Sequence, residues 1–592
     1  MLLLVLAFSG YRMYSLWQQE SFWGYLSLIF FLAFWLITPL LHKGYTRLTG
    51  NWQLFGLSSL SGVLLALAFP PLPFTFLVFG AFIPLLIVED RISSKVEGAA
   101  KWEVFKFAFH SFALYNILSA FWVANTIFFG AFISIFLNAA FMCVPFVLFH
   151  VTKQVMKKNL AYAAFIVYWI TFEFLHMRWE ISWSWMNLGN TFAQRPTWIQ
   201  WYEYTGVFGG ALWALLANVL LFQLISKLPA GVSFGESLKA LFRQKENRWP
   251  LARLGLWILA PIVFSLVVYW NYEEQGVRVE AVAVNPNIDP HYEERTMSEA
   301  EQLRKFISLS QNVVTDSTDY LFFPETSFNG ISVDQMMRSR TLRDLKAWVD
   351  GYEDLALITG IGAQRIYQPG EPLVRSTRKH IDRSGNVVYW EAYNAAIQME
   401  SGEAEMPVYY KSKLVPGAEF IPYYEVFFWL KSISAHFGGS IEGYGSQPDR
   451  EVFYHDGVGV GPAICYESIY GEFTTGYVKN GANALCVITN DAWWDQTFGY
   501  QQHLLFARLR AIENRRSIAR SANVGSCAFI NQRGDILQPT AYNEAGAIKG
   551  ELTLNNTFTI YTRYGDLIGR IALFTTLLLL LNTIAKSFVR RG

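Results

Sequence analysis

"GVGVGPAICYESIYGEF", residues 457–473, is the stretch that decides how the chain is read. Small and β-branched residues run without a charge into Cys465, and Tyr466, Glu467 and a helix start follow. A short apolar run bounded by such a turn is a buried strand, and here it carries a thiol to the point where the backbone bends. The same texture recurs on both sides. "VRVEAVAV" (277–284), "DYLFFPET" (319–326), "LALITGIGA" (355–363) and "ALCVITN" (484–490) read as strands. "GNVVYWEAYNAAIQME" (385–400) reads as paired strands, and "SCAFINQRGDIL" (526–537) as a hairpin around Arg533-Gly534. Residues 297–316 and 499–519 read as helices. Strands separated by helices make an α/β layered domain, here spanning 277–563.

Outside that domain the composition changes. The chain has 592 residues, of which 52% are hydrophobic and only 16% charged, against about 25% charged in soluble domains. Mean hydropathy is positive. Apolar runs near 22–42, 54–70, 72–89, 107–125, 128–150, 159–176, 205–226 and 252–270, with a shorter one at 2–17, approach the roughly 20 residues that cross a bilayer. A last run, 567–585, precedes Lys586, Arg590 and Arg591. The expected architecture is therefore an α-helical polytopic membrane domain plus an α/β extracytoplasmic domain. Its parts are an extra N-terminal hairpin (1–53), a multi-span region (54–270), the α/β domain (277–563) and a C-terminal helix with a basic tail (567–592). The first apolar run has no basic residues ahead of it and does not read as a cleaved signal.

Basic residues fall in alternate loops: Lys43 and Arg47; Arg91, Lys95 and Lys101; Lys153, Lys157 and Lys158; Lys227, Lys239, Arg243, Lys245 and Arg248. Cytoplasmic loops carry that excess, so the 277–563 domain is expected on the opposite face, the periplasmic side of a bacterial inner membrane. The loop 178–204 holds Trp179, Trp183, Trp185, Trp198 and Trp201 and reads as an aromatic belt at headgroup level. Glu173, within a span, is expected to pair locally with Arg178. A net charge of +1 gives no reason to expect nucleic acid. Four scattered cysteines and the absence of CxxC or HExxH spacing suggest neither a disulfide framework nor a metal.

Three polar residues stand at strand ends: Glu325 after "LFFP", Lys411 in "VYYKSKLVPGAEF" (408–420) and Cys465. Strand ends converge on one crevice in layered α/β folds. There a carboxylate can act as general base, an ammonium can hold an oxyanion and a thiol can act as nucleophile. The Tyr466 N–H is a candidate second oxyanion donor. Each residue also has an ordinary reading. A lone cysteine after an apolar strand is usually inert core, which is how Cys143, Cys486 and Cys527 read; a lone glutamate can cap a helix; a lone lysine is usually solvated.

The flanking motifs "FFPET", "ICYES", "ITNDAWW" (488–494) and "QHLLFARLRAIENRRSIARSANVG" (502–525) resemble the nitrilase, or carbon–nitrogen hydrolase, superfamily. That resemblance implies an αββα sandwich with a Glu-Lys-Cys triad. The membrane-flanked arrangement, with "KSKLVPGAEFIP" (411–422) and "TRYGD" (562–566), is similar to the apolipoprotein N-acyltransferase family. It implies Glu325, Lys411 and Cys465 as the triad, Glu419 orienting Lys411, and Tyr466 and Glu467 supporting the nucleophile turn. It further implies a phospholipid acyl donor such as phosphatidylethanolamine, a thioester intermediate, and as acceptor the α-amine of a diacylglyceryl-modified cysteine on a lipoprotein, with no cofactor. "PGAE" departs from the family's Pro-Phe-Gly-Glu, and "NPNIDPHYEE" (285–294) lacks its tryptophan, for which Tyr292 is a candidate substitute. The apolar "YYEVFFWL" (423–430) and glycine-dotted 436–445 read as a mobile lid touching lipid, with a packed helix as the equal alternative for 423–430. Competing readings are a membrane-anchored amidase or nitrilase using water, and a non-catalytic lipid-binding scaffold.

Overall fold

The computed structural model describes residues 1–19, 21–41, 52–94, 100–227, 244–290, 296–427 and 442–589. It divides into a helical unit (1–179, 183–271 and 566–592) and a sheet-rich unit (180–182 and 272–565). Tyr292, most of the candidate lid, and the basic residues Lys43, Arg47, Lys95, Lys239, Arg243, Arg590 and Arg591 lie outside the described residues.

In the helical unit, Phe128–Val155, Val207–Ile225, Lys245–Asn271 and Leu567–Val589 are long and apolar enough to cross a membrane. The run 72–89 is not one helix. Pro70, Pro71 and Pro73 remove backbone donors, and the chain makes a short 3-10 turn, Thr75–Phe79, before the helix Ile83–Ser93. The expected Glu173–Arg178 pair does not form. Arg178 instead binds Asp566 at 2.7 Å, and Glu173 accepts from the Leu188 N–H (2.7 Å) and the Trp169 indole (3.0 Å). Trp185 is buried against Trp122 at 4.7 Å and belongs to the interior of this unit, not to a belt.

The sheet-rich unit is built by period-2 alternation. Along Val277–Asn285, Ala281 and Ala283 face one core while Val282 and Val284 face another. Tyr320 and Phe322 likewise part from Leu321 and Phe323, and Ala356 and Ile358 from Leu357. An eight-stranded sheet follows, with main order Gly546–Leu554, Val277–Asn285, Tyr320–Phe322, Ala356–Ile366, Val387–Glu400 and Arg378–Ile381. Phe328–Ser332 and Val408–Tyr410 add to it at the side. A six-stranded sheet runs Ile536–Leu537, Ala528–Ile530, Ile518–Asn523, Ala484–Asn490, Val458–Ile464 and Phe453–His455. The core between the sheets joins Phe322 and Ile358 to Ile464, Cys486 and Ile488. Helices Glu299–Ser310 and Arg340–Val349 bury Leu303, Phe306, Leu342 and Leu345 on the outer face of the first sheet. Gly471–Lys479 and Phe498–Asn514 bury Tyr477, Val478, Ala507 and Ala511 on the second. The layering is αββα.

Two boundaries differ from expectation. The run 385–400 is one strand, Val387–Glu400, whose hairpin partner is Arg378–Ile381. The helix expected to reach residue 519 stops at Asn514, where Arg515 takes a left-handed conformation (φ 49°) and Ile518–Asn523 becomes a strand between two others.

Leu345→Ala tests the outer layer. Removing a fully buried leucine should cost about 2–5 kcal/mol, read as a lowered midpoint in denaturant titration of the purified protein.

Candidate active site

Backbone architecture brings the candidate residues together. Strand Tyr320–Phe322 ends in Pro324-Glu325, and the Gly360 N–H holds the Pro324 carbonyl at 3.1 Å. A Cβ at Gly360 would lie 2.6 Å from Glu325 Cα, so a side chain there would displace Glu325. Lys411 follows Val408–Tyr410, and its N–H extends the ladder to the Asn394 carbonyl at 2.9 Å. Cys465 follows Val458–Ile464 in the other sheet with φ +49°, a left-handed conformation costly for a residue with a Cβ.

At the centre Lys411, only 1% exposed, donates to Glu419 Oε1 at 2.9 Å and to Glu325 Oε1 at 3.3 Å. The Asn394 amide donates to the same two oxygens, at 3.0 and 2.7 Å. Two donors and two carboxylates thus close a ring. Glu325 Oε2 accepts from the Asn490 N–H (3.1 Å) and Glu419 Oε2 from the Val415 N–H (2.7 Å). Burial disfavours the ammonium, but the charges of Glu419 and then Glu325 outweigh it and hold Lys411 well above the ordinary lysine range. The Cys465 thiol, also buried, interacts with the Thr489 side chain and lies in the field of both Glu325 and Lys411. Burial and then the Glu325 charge raise it, and Lys411 opposes them, so the resting group is a protonated thiol.

Glu467 links the lysine segment to the cysteine turn. One of its oxygens accepts from Tyr409 Oη (2.7 Å) and the Ser412 and Lys413 N–H groups (2.7 and 3.1 Å). The other accepts from the Ile464 N–H (2.8 Å) and Tyr477 Oη (2.9 Å). Tyr466 anchors the turn by donating from its phenol to the Ser182 carbonyl at 2.8 Å. Cys486 and Cys527 are buried, free thiols raised by desolvation, Cys527 to about 12.

A second buried network was not read from the sequence. His503 Nε2 lies 3.2 Å from the Cys465 carbonyl, which also accepts from Ser468 Oγ at 2.7 Å. Arg520 donates to both Asp491 oxygens at 2.9 and 2.8 Å and reaches His503 Nδ1 at 3.1 Å. Burial, with Arg520 adding to it and Asp491 opposing, keeps the imidazole below its usual range and neutral. Its Nε2–H is then available to donate toward the carbonyl of the cysteine turn. Polar residues inside the 499–519 and 484–495 runs were the available signal. Asn394 likewise stood out only as a polar residue inside "AYNAAIQ".

With this geometry in place, comparison with known proteins adds the following. The family model described as apolipoprotein N-acyltransferase N-terminal domain matches residues 61–220, and that described as carbon–nitrogen hydrolase matches 278–559. An apolipoprotein N-acyltransferase of Chlorobaculum tepidum is 28% identical, covering 88% of this chain and 94% of its own. One of Treponema denticola is 24% identical, covering 90% and 97%. Among solved structures, a carbon–nitrogen hydrolase superfamily protein of Xanthomonas campestris aligns at 14% identity and a TM-score of 0.32, over 47% of this chain and 91% of its own.

Glu467→Gln replaces an acceptor oxygen with a donor among five donors, and each orphaned buried N–H or O–H costs about 1–3 kcal/mol. Expected is a lower melting temperature in thermal unfolding of the purified protein. His503 contributes a pH dependence of definite sign. Its folded pKa is below 6.5, so the unfolded chain binds the extra proton. This contribution leaves stability unpenalised above pH 6.5 and lowers it as pH falls below that value, by up to about 1.4 kcal/mol per pH unit. Denaturant titrations from pH 7 to pH 5 should show a shallower loss in His503→Gln than in wild type.

Proposed function

This chain belongs to the apolipoprotein N-acyltransferase family of carbon–nitrogen hydrolases, and from that premise we propose how it carries an acyl group to the N-terminus of a lipoprotein. The observation that supports the reading most is the buried Lys411, held charged by Glu325 and Glu419 beside a cysteine on a left-handed turn.

In the first half-reaction Glu325 takes the Cys465 thiol proton as sulfur attacks the ester carbonyl of a phospholipid, with phosphatidylethanolamine the expected donor. Lys411 and the Tyr466 N–H stabilise the oxyanion. The ester C–O bond breaks, Glu325 returns the proton to the departing lysophospholipid, and a thioester remains on Cys465. In the second half-reaction the α-amine of a diacylglyceryl-cysteine attacks the thioester. Glu325 accepts its proton, the C–S bond breaks, and that proton restores the thiol. The raised thiol pKa is the reason a base is required: few molecules hold a thiolate at neutral pH. Glu419, Asn394 and Glu467 orient these groups without touching the reacting atoms.

The apolar helices fit a membrane enzyme, and the alternation of basic loops supports a multi-pass bacterial inner-membrane protein with its catalytic domain on the periplasmic face. A lipid setting has an energetic reason. Drawing an acyl chain of about 16 carbons into water costs about 12 kcal/mol at about 0.8 per CH₂, and catalysis beside the bilayer avoids that cost.

The test is to incubate the purified protein in detergent with radiolabelled phospholipid alone, then add a diacylated lipopeptide. A hydroxylamine-sensitive label on the wild-type chain, absent from Cys465→Ala and chased into N-acylated peptide, is the expected result. Free fatty acid with no amide product would identify a hydrolase, and no label at all would identify a scaffold; either would overturn the proposal. Lys411→Met should lower acylation by about 10²–10³-fold, as loss of an oxyanion donor does elsewhere.

A further inference from the structure

A separate cluster occupies the opposite ends of the strands. Asp354 stands just before Ala356–Ile366 in the eight-stranded sheet, while His455 ends Phe453–His455 and Asp456 turns the chain into Val458–Ile464 in the six-stranded sheet. Cys465 lies at the far end of that last strand, seven residues and so roughly 20 Å away. One ligand atom each from Asp354, His455 and Asp456 lies within 4.8 Å of the others.

The histidine provides the independent sign of a ligand. His455 is 7% exposed. Its Nδ1 lies 3.2 Å from Glu400 Oε2, and Glu400 is in turn held by the Gln398 amide. Nε2, on the other side of the ring, faces Asp354 and the cluster. Nε2 is buried and makes no hydrogen bond among the described residues, although Asp354 Oδ1 is 3.1 Å from it. A carboxylate on one imidazole nitrogen, and on the other side a buried nitrogen outside hydrogen-bond geometry that faces further carboxylates, is the arrangement of a metal-ligating histidine and its outer partner. The charge balance points the same way. Asp319, Glu400, Asp456 and Asp354 all act on the neighbouring Tyr320 hydroxyl, so four carboxylates gather at this end of the strands.

We propose that Asp354, His455 and Asp456 form a site for a divalent first-row transition-metal ion of the Zn²⁺ type, which ties the two sheets together at the end remote from Cys465. An imidazole nitrogen favours such an ion over Mg²⁺ or Ca²⁺, which prefer more oxygen ligands. Two exposed carboxylates give the ion an entry path and leave room for water to complete its coordination. Asp354 lies about a hundred positions before the adjacent His455 and Asp456, so motif spacing does not reveal the set.

The test uses full-length protein purified in detergent without a histidine tag, stripped with chelator and dialysed against buffered low-micromolar Zn²⁺. Metal content is then read by mass spectrometry. Asp456→Asn is the key variant, because Asp456 has φ +47° and asparagine adopts that conformation as readily as aspartate. Expected are one bound Zn²⁺ per wild-type chain and a melting temperature raised by about 5 °C. At least tenfold weaker binding is expected in both Asp456→Asn and His455→Gln, with acyl transfer by Asp456→Asn unchanged. Millimolar Mg²⁺ should not displace the ion. Absence of stoichiometric Zn²⁺ in wild type, or equal Zn²⁺ in wild type and Asp456→Asn, would overturn the proposal. The metal readout does not depend on whether the chain transfers acyl groups.

Discussion

An ammonium group buried between two carboxylates is the constraint on which the rest of the sheet-rich unit depends. Removing a lysine charge from water costs several kcal/mol. Each close carboxylate returns about 4 kcal/mol at an effective dielectric near 20 but is itself desolvated, so the ammonium is held only where several partners and backbone donors converge. Lys411 has two, at 2.9 and 3.3 Å. The second carboxylate is therefore not redundant. With Glu419 holding the lysine, the ammonium keeps a partner while Glu325 serves as the proposed base.

That balance holds only if the backbone delivers all the groups to one point, and the two sheets do so from opposite sides. The eight-stranded sheet brings Glu325, Asn394 and Lys411, and the six-stranded sheet brings Cys465, Thr489 and Asn490. Glu467 joins them by accepting backbone N–H groups from both the lysine segment and the residue before the cysteine. His503 and Ser468 hold the carbonyl of the cysteine turn from beneath. The left-handed cysteine is thus kept in a costly conformation by hydrogen bonds on several sides, and its strain does not relax into an ordinary turn.

The opposite ends of the same strands show a different use of charge. Around Lys411 carboxylates surround a cation supplied by the chain. Around His455 they flank an imidazole, with Glu400 3.2 Å from Nδ1 and Asp354 3.1 Å from Nε2. Both clusters bring charged or polar groups of the unit into close range at strand ends, where backbone N–H and C=O groups no longer pair within the sheet.

Much of this was legible in the chain. Alternation of apolar residues marked the principal strands because burial on two faces demands it, and "FFPET", the Lys411 segment and "ICYES" marked the strand ends. Short or edge elements were not legible. Phe328–Ser332, Phe453–His455 and Gly546–Leu554 carry too few consecutive core residues to signal a strand. The helix over 499–519 overran because Ile518–Asn523 continues an apolar pattern that helix and strand share; only pairing between two neighbouring strands decides it. Local sequence therefore determined which residues must be buried and where a thiol, an ammonium and a carboxylate leave their strands. Tertiary structure alone decided that Asn394 completes the lysine's ring, that Arg178 chooses Asp566 over Glu173, and that His455 meets Asp354. Those partners are distant in the chain or set by strand register, and hydrogen bonds and ion pairs act only over a few ångströms once the layers have closed.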